Sequence, residues 1–128
     1  MPKASKSMSR GMRTRRAVLG DVYVDAREKA KTAFDTDFQA FITDVAWDQV
    51  WSRPGLTKRE RSLITIALLA AGGHHEELAT HLNATRNTGA SAEDIKEMLL
   101  HVAVYAGIPA ANTAFRVAKD VLGKGAKK

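Results

Sequence analysis

Glu77 and His81 stand four residues apart, a spacing that stacks two side chains on one helix face. A carboxylate beside an imidazole can hold its tautomer, stabilise the protonated ring or exchange a proton with it. Leu78 and Leu82 put the pair at the edge of a core, although the same spacing also describes a surface pair worth roughly 0.2–0.5 kcal/mol. Further along, Glu97, His101 and Tyr105 repeat the four-residue interval. Glu97 lies in the polar first half of its segment and suits a solvated role. His101 and Tyr105 lie among Leu99, Leu100, Val102, Val104 and Ala106, where a buried ring nitrogen or hydroxyl needs a partner, either in the core or on a ligand in a pocket. Arg59 and Arg61 open another apolar stretch, and a guanidinium there can clamp a carboxylate bidentately.

What is missing narrows the chemistry. With no cysteine, thiolate metal sites, thiol nucleophiles, CxxC redox centres and disulfide scaffolds are excluded. His74, His75, Glu76, Glu77 and His81 invite a metal reading through their helical spacing. Neither HExxH nor its inverted form is present, however, and no metal is expected. There is also no glycine-rich phosphate loop and no GxSxG elbow. Acid–base and electrostatic chemistry on a small anionic molecule remains.

These side chains need helices to hold them. Thr57-Lys58-Arg59-Glu60 reads as a capping box opening a helix to about Ala71, stopped by Gly72-Gly73. A second helix is predicted from His75 to Asn87 before Gly89, and a third, capped by Ser91, to near Gly107. A last one starts at Pro109 or Ala110 and runs to about Leu122. Upstream, Phe34, Phe38, Phe41, Ile42 and Val45 keep one helical period between Val24 and Trp51, and their aromatics are expected in the core. No sustained two-residue alternation occurs. The predicted fold is all-α, a single-domain bundle of five main helices. Leu63 to Ala71 and Met98 to Ala106 are apolar nearly all round, which predicts burial on every side and a homo-oligomer to supply it.

The 128 residues carry 20 Lys and Arg against 14 Asp and Glu, but the excess sits at the ends. Residues 1–16 hold six basic residues and no acid, and residues 123–128 hold three lysines. Between 17 and 122 the balance is 11 basic to 14 acidic, a formal charge of −3. The expectation is a flexible basic arm (1–16), a helical domain (17–122) and a basic tail (123–128), without a nucleic-acid partner. A small basic nucleic-acid-binding protein is the non-enzyme alternative. The longest nearly apolar run, Leu63 to Gly73, has 11 residues, too few for a membrane span. No apolar stretch follows the basic start, so a cytoplasmic location is expected.

Taken in order, Trp51-Ser52-Arg53-Pro54-Gly55-Leu56, Arg59-Glu60-Arg61-Ser62-Leu63, Glu76-Glu77-Leu78 with His81-Leu82, and His101-Val102-Ala103-Val104-Tyr105-Ala106-Gly107-Ile108-Pro109-Ala110-Ala111 resemble the carboxymuconolactone decarboxylase family. Arg15-Arg16-Ala17-Val18-Leu19-Gly20 and Tyr23-Val24-Asp25 extend the similarity, which covers about residues 10–122. The resemblance implies the all-helical alkylhydroperoxidase-like fold and a homo-oligomer, commonly a hexamer. Those peroxidase relatives carry CxxC and histidine where this chain has His74, Glu77 and His81, so thiol peroxidase chemistry is excluded. The implied reaction turns 4-carboxymuconolactone, a small anionic lactone, into 3-oxoadipate enol-lactone and carbon dioxide, within protocatechuate degradation by the beta-ketoadipate pathway. No cofactor is implied. In that reading Arg61 binds a carboxylate, Glu77 and His81 are the catalytic pair in either order, and His101 and Tyr105 bind the lactone oxygen or second carboxylate. A related decarboxylase or isomerase acting on another lactone or oxo acid is the enzyme alternative.

Overall fold

The computed structural model describes residues 8–126. They are all-α, as expected, but form eight α-helices and one π-helical segment rather than five main helices. The chain divides into two compact units, the first ending at Leu56 and the second beginning at Thr57. The break therefore falls at the Arg53-Pro54-Gly55 interruption, not at the 16/17 boundary expected for an arm.

In the first unit α1 (Arg10–Leu19) is capped by Ser9, whose hydroxyl accepts from the Met12 amide. Arg10 to Arg16 are thus helical, contrary to a flexible arm. Their charge is also locally engaged: Arg10 pairs with Asp48, Arg15 with Glu28, and Arg16 with Asp21 and Asp25. Arg15 is buried and reaches Gln39 as well. The arm's residues 1–7, and Lys127 and Lys128 of the tail, lie outside the described residues; residues 123–126 continue the last helix.

The predicted Val24–Trp51 helix is broken. α2 (Asp21–Ala30) ends, and α3 (Thr36–Ile42) passes directly into the π-helical Thr43–Trp51. Thr32 and Asp35 account for the gap. The Asp35 carboxylate accepts from the Thr32 amide, the Thr32 hydroxyl accepts from the Phe34 amide, and the Thr36 hydroxyl donates to the Thr32 carbonyl. Such side-chain bonds compete with the helical ladder. Trp47 is buried, but Phe34, Phe38 and Phe41 are 97%, 59% and 60% exposed. Phe34 lies in the turn before α3 and only Phe38 and Phe41 share that helix, so the expected core placement of these aromatics does not hold.

The second unit holds α4 (Lys58–Gly72), α5 (His75–Asn83), the short α6 (Thr85–Thr88), α7 (Ala92–Tyr105) and α8 (Ile108–Ala126). Its core joins Ile66 and Ala70 of α4, Leu78 and Leu82 of α5, Ile95 and Leu99 of α7, and Ala111, Ala114 and Ala118 of α8. Alanine on α8 lets the other helices approach closely. The two nearly all-apolar helices are not covered all round within one chain: Ile64, Leu68, Leu100 and Val104 are all about half exposed or more. Among the described residues no helix is long and apolar enough to cross a membrane.

Candidate functional site

The α4–α5 hairpin is built by local rules. The Thr57 hydroxyl accepts from the Glu60 amide at 3.1 Å, and the Glu60 carboxylate accepts from the Thr57 amide at 2.8 Å. This capping box fixes Arg59 and Arg61 in the opening turns of α4. At the other end Gly73 adopts φ 75°, a left-handed conformation that favours glycine. The chain then reverses, and the His74 amide bonds to the Leu69 carbonyl at 3.0 Å.

On α5, Leu78 and Leu82 are fully buried and set the inward face. Glu77 is exposed, whereas His81 is half-buried with its Nδ1 closed to solvent. Burial pushes the His81 imidazole below its ordinary pKa, and Glu77 opposes that by favouring the charged ring. The imidazole is therefore mainly neutral near pH 7. Within one chain Glu77 is in contact with solvent rather than enclosed by apolar side chains. Arg61 is half-buried, its Nε also closed to solvent.

His101 and Tyr105 lie elsewhere in the unit. Their rings stack at 4.9 Å with a 34° tilt along a groove of about 700 Å³ between α4 and α7. Leu63, Ala67 and Leu68 form its α4 wall, and Asp94 and Glu97 extend its α7 edge. Arg61, Glu77 and His81 are not part of this lining. Arg61 precedes Leu63 by two residues, about 200° round the helix, and so leaves the opposite flank of α4. The structure thus sets His101 and Tyr105 together in the groove, apart from Arg61, Glu77 and His81.

The groove adds two carboxylates to the candidates. In the sequence Asp94 belongs to the Ser91-Ala92-Glu93-Asp94 cap, and Glu97 suits a solvated role. The Asp94, Glu97, His101, Tyr105 spacing of three, four and four residues was the available signal for a shared face. Among the described residues no group of three or more His, Asp or Glu side chains is placed to hold a metal ion.

Residues 36–120 match the carboxymuconolactone decarboxylase family. The chain belongs to that family. It is 45% identical over 111 residues to 4-carboxymuconolactone decarboxylase of Acinetobacter baylyi, covering 87% of this chain and 83% of the relative. It is also 37% identical over 122 residues to nitrosuccinic acid decarboxylase of Metarhizium robertsii, covering 92% and 85%. Membership extends across both units, because α3 and the π-helical segment fall inside the family match.

Proposed function

We propose that this family member is a carboxy-lyase that converts 4-carboxymuconolactone into 3-oxoadipate enol-lactone and carbon dioxide, serving protocatechuate breakdown in the cytoplasm as a homo-oligomer, a hexamer. The observation that carries the reading is the 45% identity spread over 87% of the chain.

The chemistry suits the side chains. Breaking the bond between ring carbon and carboxylate releases carbon dioxide and leaves the electron pair on the ring. The ring double bond passes that charge to the lactone carbonyl, so the substrate serves as its own electron sink. The protein must hold the anion, stabilise an enolate-like oxygen and supply one proton to ring carbon. Arg61 supplies the fixed positive charge for a carboxylate. His81 delivers the proton, and Glu77 stabilises the charged imidazole and restores its proton from solvent, with which it is in contact. A dianion bound beside a mainly neutral His81 favours protonation of the ring, so substrate arrival itself charges the acid. His101 and Tyr105 serve as hydrogen-bond donors to the lactone oxygen or second carboxylate.

A second reading, a related decarboxylase for another acid, is favoured by the relative named for nitrosuccinic acid. A nitro group, like an unsaturated lactone, accepts the electron pair left by carbon dioxide. The discriminating experiment supplies purified protein with 4-carboxymuconolactone, generated in place from 3-carboxy-cis,cis-muconate by its cycloisomerase, and separately with nitrosuccinate. Carbon dioxide release from the lactone alone, abolished in His81→Ala, supports the first reading. Release from nitrosuccinate alone replaces it with the second.

A further inference from the structure

Phe34 in the turn before α3, and Phe38 and Phe41 three residues apart on α3, are all more than half exposed. Phe38 and Phe41 have the i, i+3 spacing with which a helix anchors in an apolar groove, and Phe34 extends the apolar crest from the turn. The exposed carboxylates Asp37 and Asp44 stand beside the ridge, seven residues apart, and neither forms an ion pair among the described residues. The ridge is therefore apolar at its crest and negative at its edge. Its partner needs an apolar floor with a positive rim.

The acidic-edged groove between α4 and α7 fails that requirement, since Glu97 lines it, Asp94 is already paired with Arg59, and no lysine or arginine is in its lining. The groove between α7 and α8 meets it. Its volume is about 350 Å³, its floor includes Ile95, Leu99, Phe115 and Leu122, and Lys96 and Lys119 stand along it, one on each helix. Lys119 has no ion pair among the described residues. Lys96 has only Glu93, an exposed i, i+3 pair of the kind that contributes little.

We propose that the Phe34–Phe38–Phe41 ridge of one chain docks into the α7–α8 groove of a second copy, with Asp37 and Asp44 facing Lys96 and Lys119. Ridge and groove belong to one sequence, so a second copy of the chain can supply the partner surface. The contact rests on the homo-oligomer reading and names the surfaces that would build it. Phenyl rings supply the apolar burial, and the charge pattern selects this groove over the acidic one.

Sedimentation equilibrium of the full-length protein tests the contact. Phe38→Ser with Phe41→Ser, checked for retained helicity, is expected to weaken self-association at least about tenfold. Asp37→Lys with Asp44→Lys, or Lys96→Glu with Lys119→Glu, should each weaken it, and all four changes together should restore it. Self-association indifferent to the phenylalanine changes, or four charge reversals no better than either pair, overturns the contact. A wild-type monomer overturns the homo-oligomer reading along with it. Assembly lost only through Leu68→Ser with Val104→Ser overturns this contact alone and moves the interface to the α4–α7 face.

Discussion

Arg59 holds Asp94 through two hydrogen bonds, 2.8 Å from Nε and 2.7 Å from Nη2, across 35 residues of sequence. Asp94 also accepts from the Ser91 amide at 3.0 Å, while the Ser91 hydroxyl accepts from the Asp94 amide. One carboxylate thus closes the capping box of α7 and ties its start to the start of α4. The Arg59 contact, followed by the Ser91 amide, holds Asp94 well below the ordinary carboxylate range.

Asp94→Ala removes both cap and tie, whereas Arg59→Ala removes only the tie. Asp94→Ala is therefore expected to lower the urea midpoint more than Arg59→Ala, and the double variant should resemble Asp94→Ala. Denaturation of the four proteins forms a double-mutant cycle for the pair. Equal losses that simply add would mean that the two side chains act independently.

His81→Ala is expected to lower kcat by about 10²–10⁴, the range for a general acid. Glu77→Gln should cost less and carry a signature in pH. Glu77 favours the charged ring against burial, so its loss lowers the His81 pKa further, and the limb of the rate profile assigned to His81 moves to lower pH. Steady-state kcat against pH for both variants measures this. A limb that stays in place in Glu77→Gln would remove Glu77 from contact with the proton donor.

Arg61→Lys is expected to raise KM by about tenfold or more, because an ammonium cannot reproduce the two parallel bonds of a guanidinium to a carboxylate. His101→Gln and Tyr105→Phe separate the groove residues from Arg61, Glu77 and His81. If those two residues bind the same substrate, KM rises in each; unchanged kinetics would confine the chemistry to the α4–α5 side.

The elements that position these residues were legible where the rule is local. Thr57-x-x-Glu60 and Ser91-x-x-Asp94 mark the starts of α4 and α7, and Gly73 and Gly89 close helices in left-handed conformations. Periodicity grouped Phe34, Phe38 and Phe41 but could show neither the turn that leaves Phe34 outside α3 nor what the rings meet, because burial depends on the rest of the fold and on other chains. The separation of Arg61 from His101 was likewise hidden. Each is correctly placed on its own helix, yet their relation depends on which flank of α4 packs toward α7. Arg59–Asp94 joins residues too distant in sequence for any spacing rule.

The pH dependence of stability follows from lowered pKa values in two ranges, one histidine and several carboxylates. The His81 pKa in the folded protein lies below the ordinary histidine value of 6.5, chiefly through burial, so the unfolded chain takes up the proton first. Its contribution is complete above pH 6.5 and is lost as pH falls through the folded value. Glu28, lowered from 4.5 first by its bond from Lys31, Glu60, lowered first by the Thr57 amide, and Asp94, lowered first by Arg59, together add a second loss that begins below pH 4.5. Urea midpoints between pH 8 and pH 3 should show both, and His81→Gln should flatten only the upper one.

Ser62 and Gly11 test packing in the two units in opposite directions. Ser62 is fully buried in α4, and its hydroxyl has no hydrogen-bond partner among the described residues. Ser62→Ala removes that desolvated group and is expected to leave stability unchanged or raise it by about 1 kcal/mol. Gly11 leaves no such room. A methyl group there would lie 2.5 Å from the Thr43 carbonyl oxygen and 3.0 Å from the Asp48 Cβ, both in the π-helical segment against which α1 packs. The carbonyl cannot yield without moving its helix, so Gly11→Ala is expected to cost about 1–3 kcal/mol despite alanine's better helix propensity. Urea denaturation of Gly11→Ala reads the balance directly; a neutral or stabilising result would show that α1 can move away from the π-helical segment without loss.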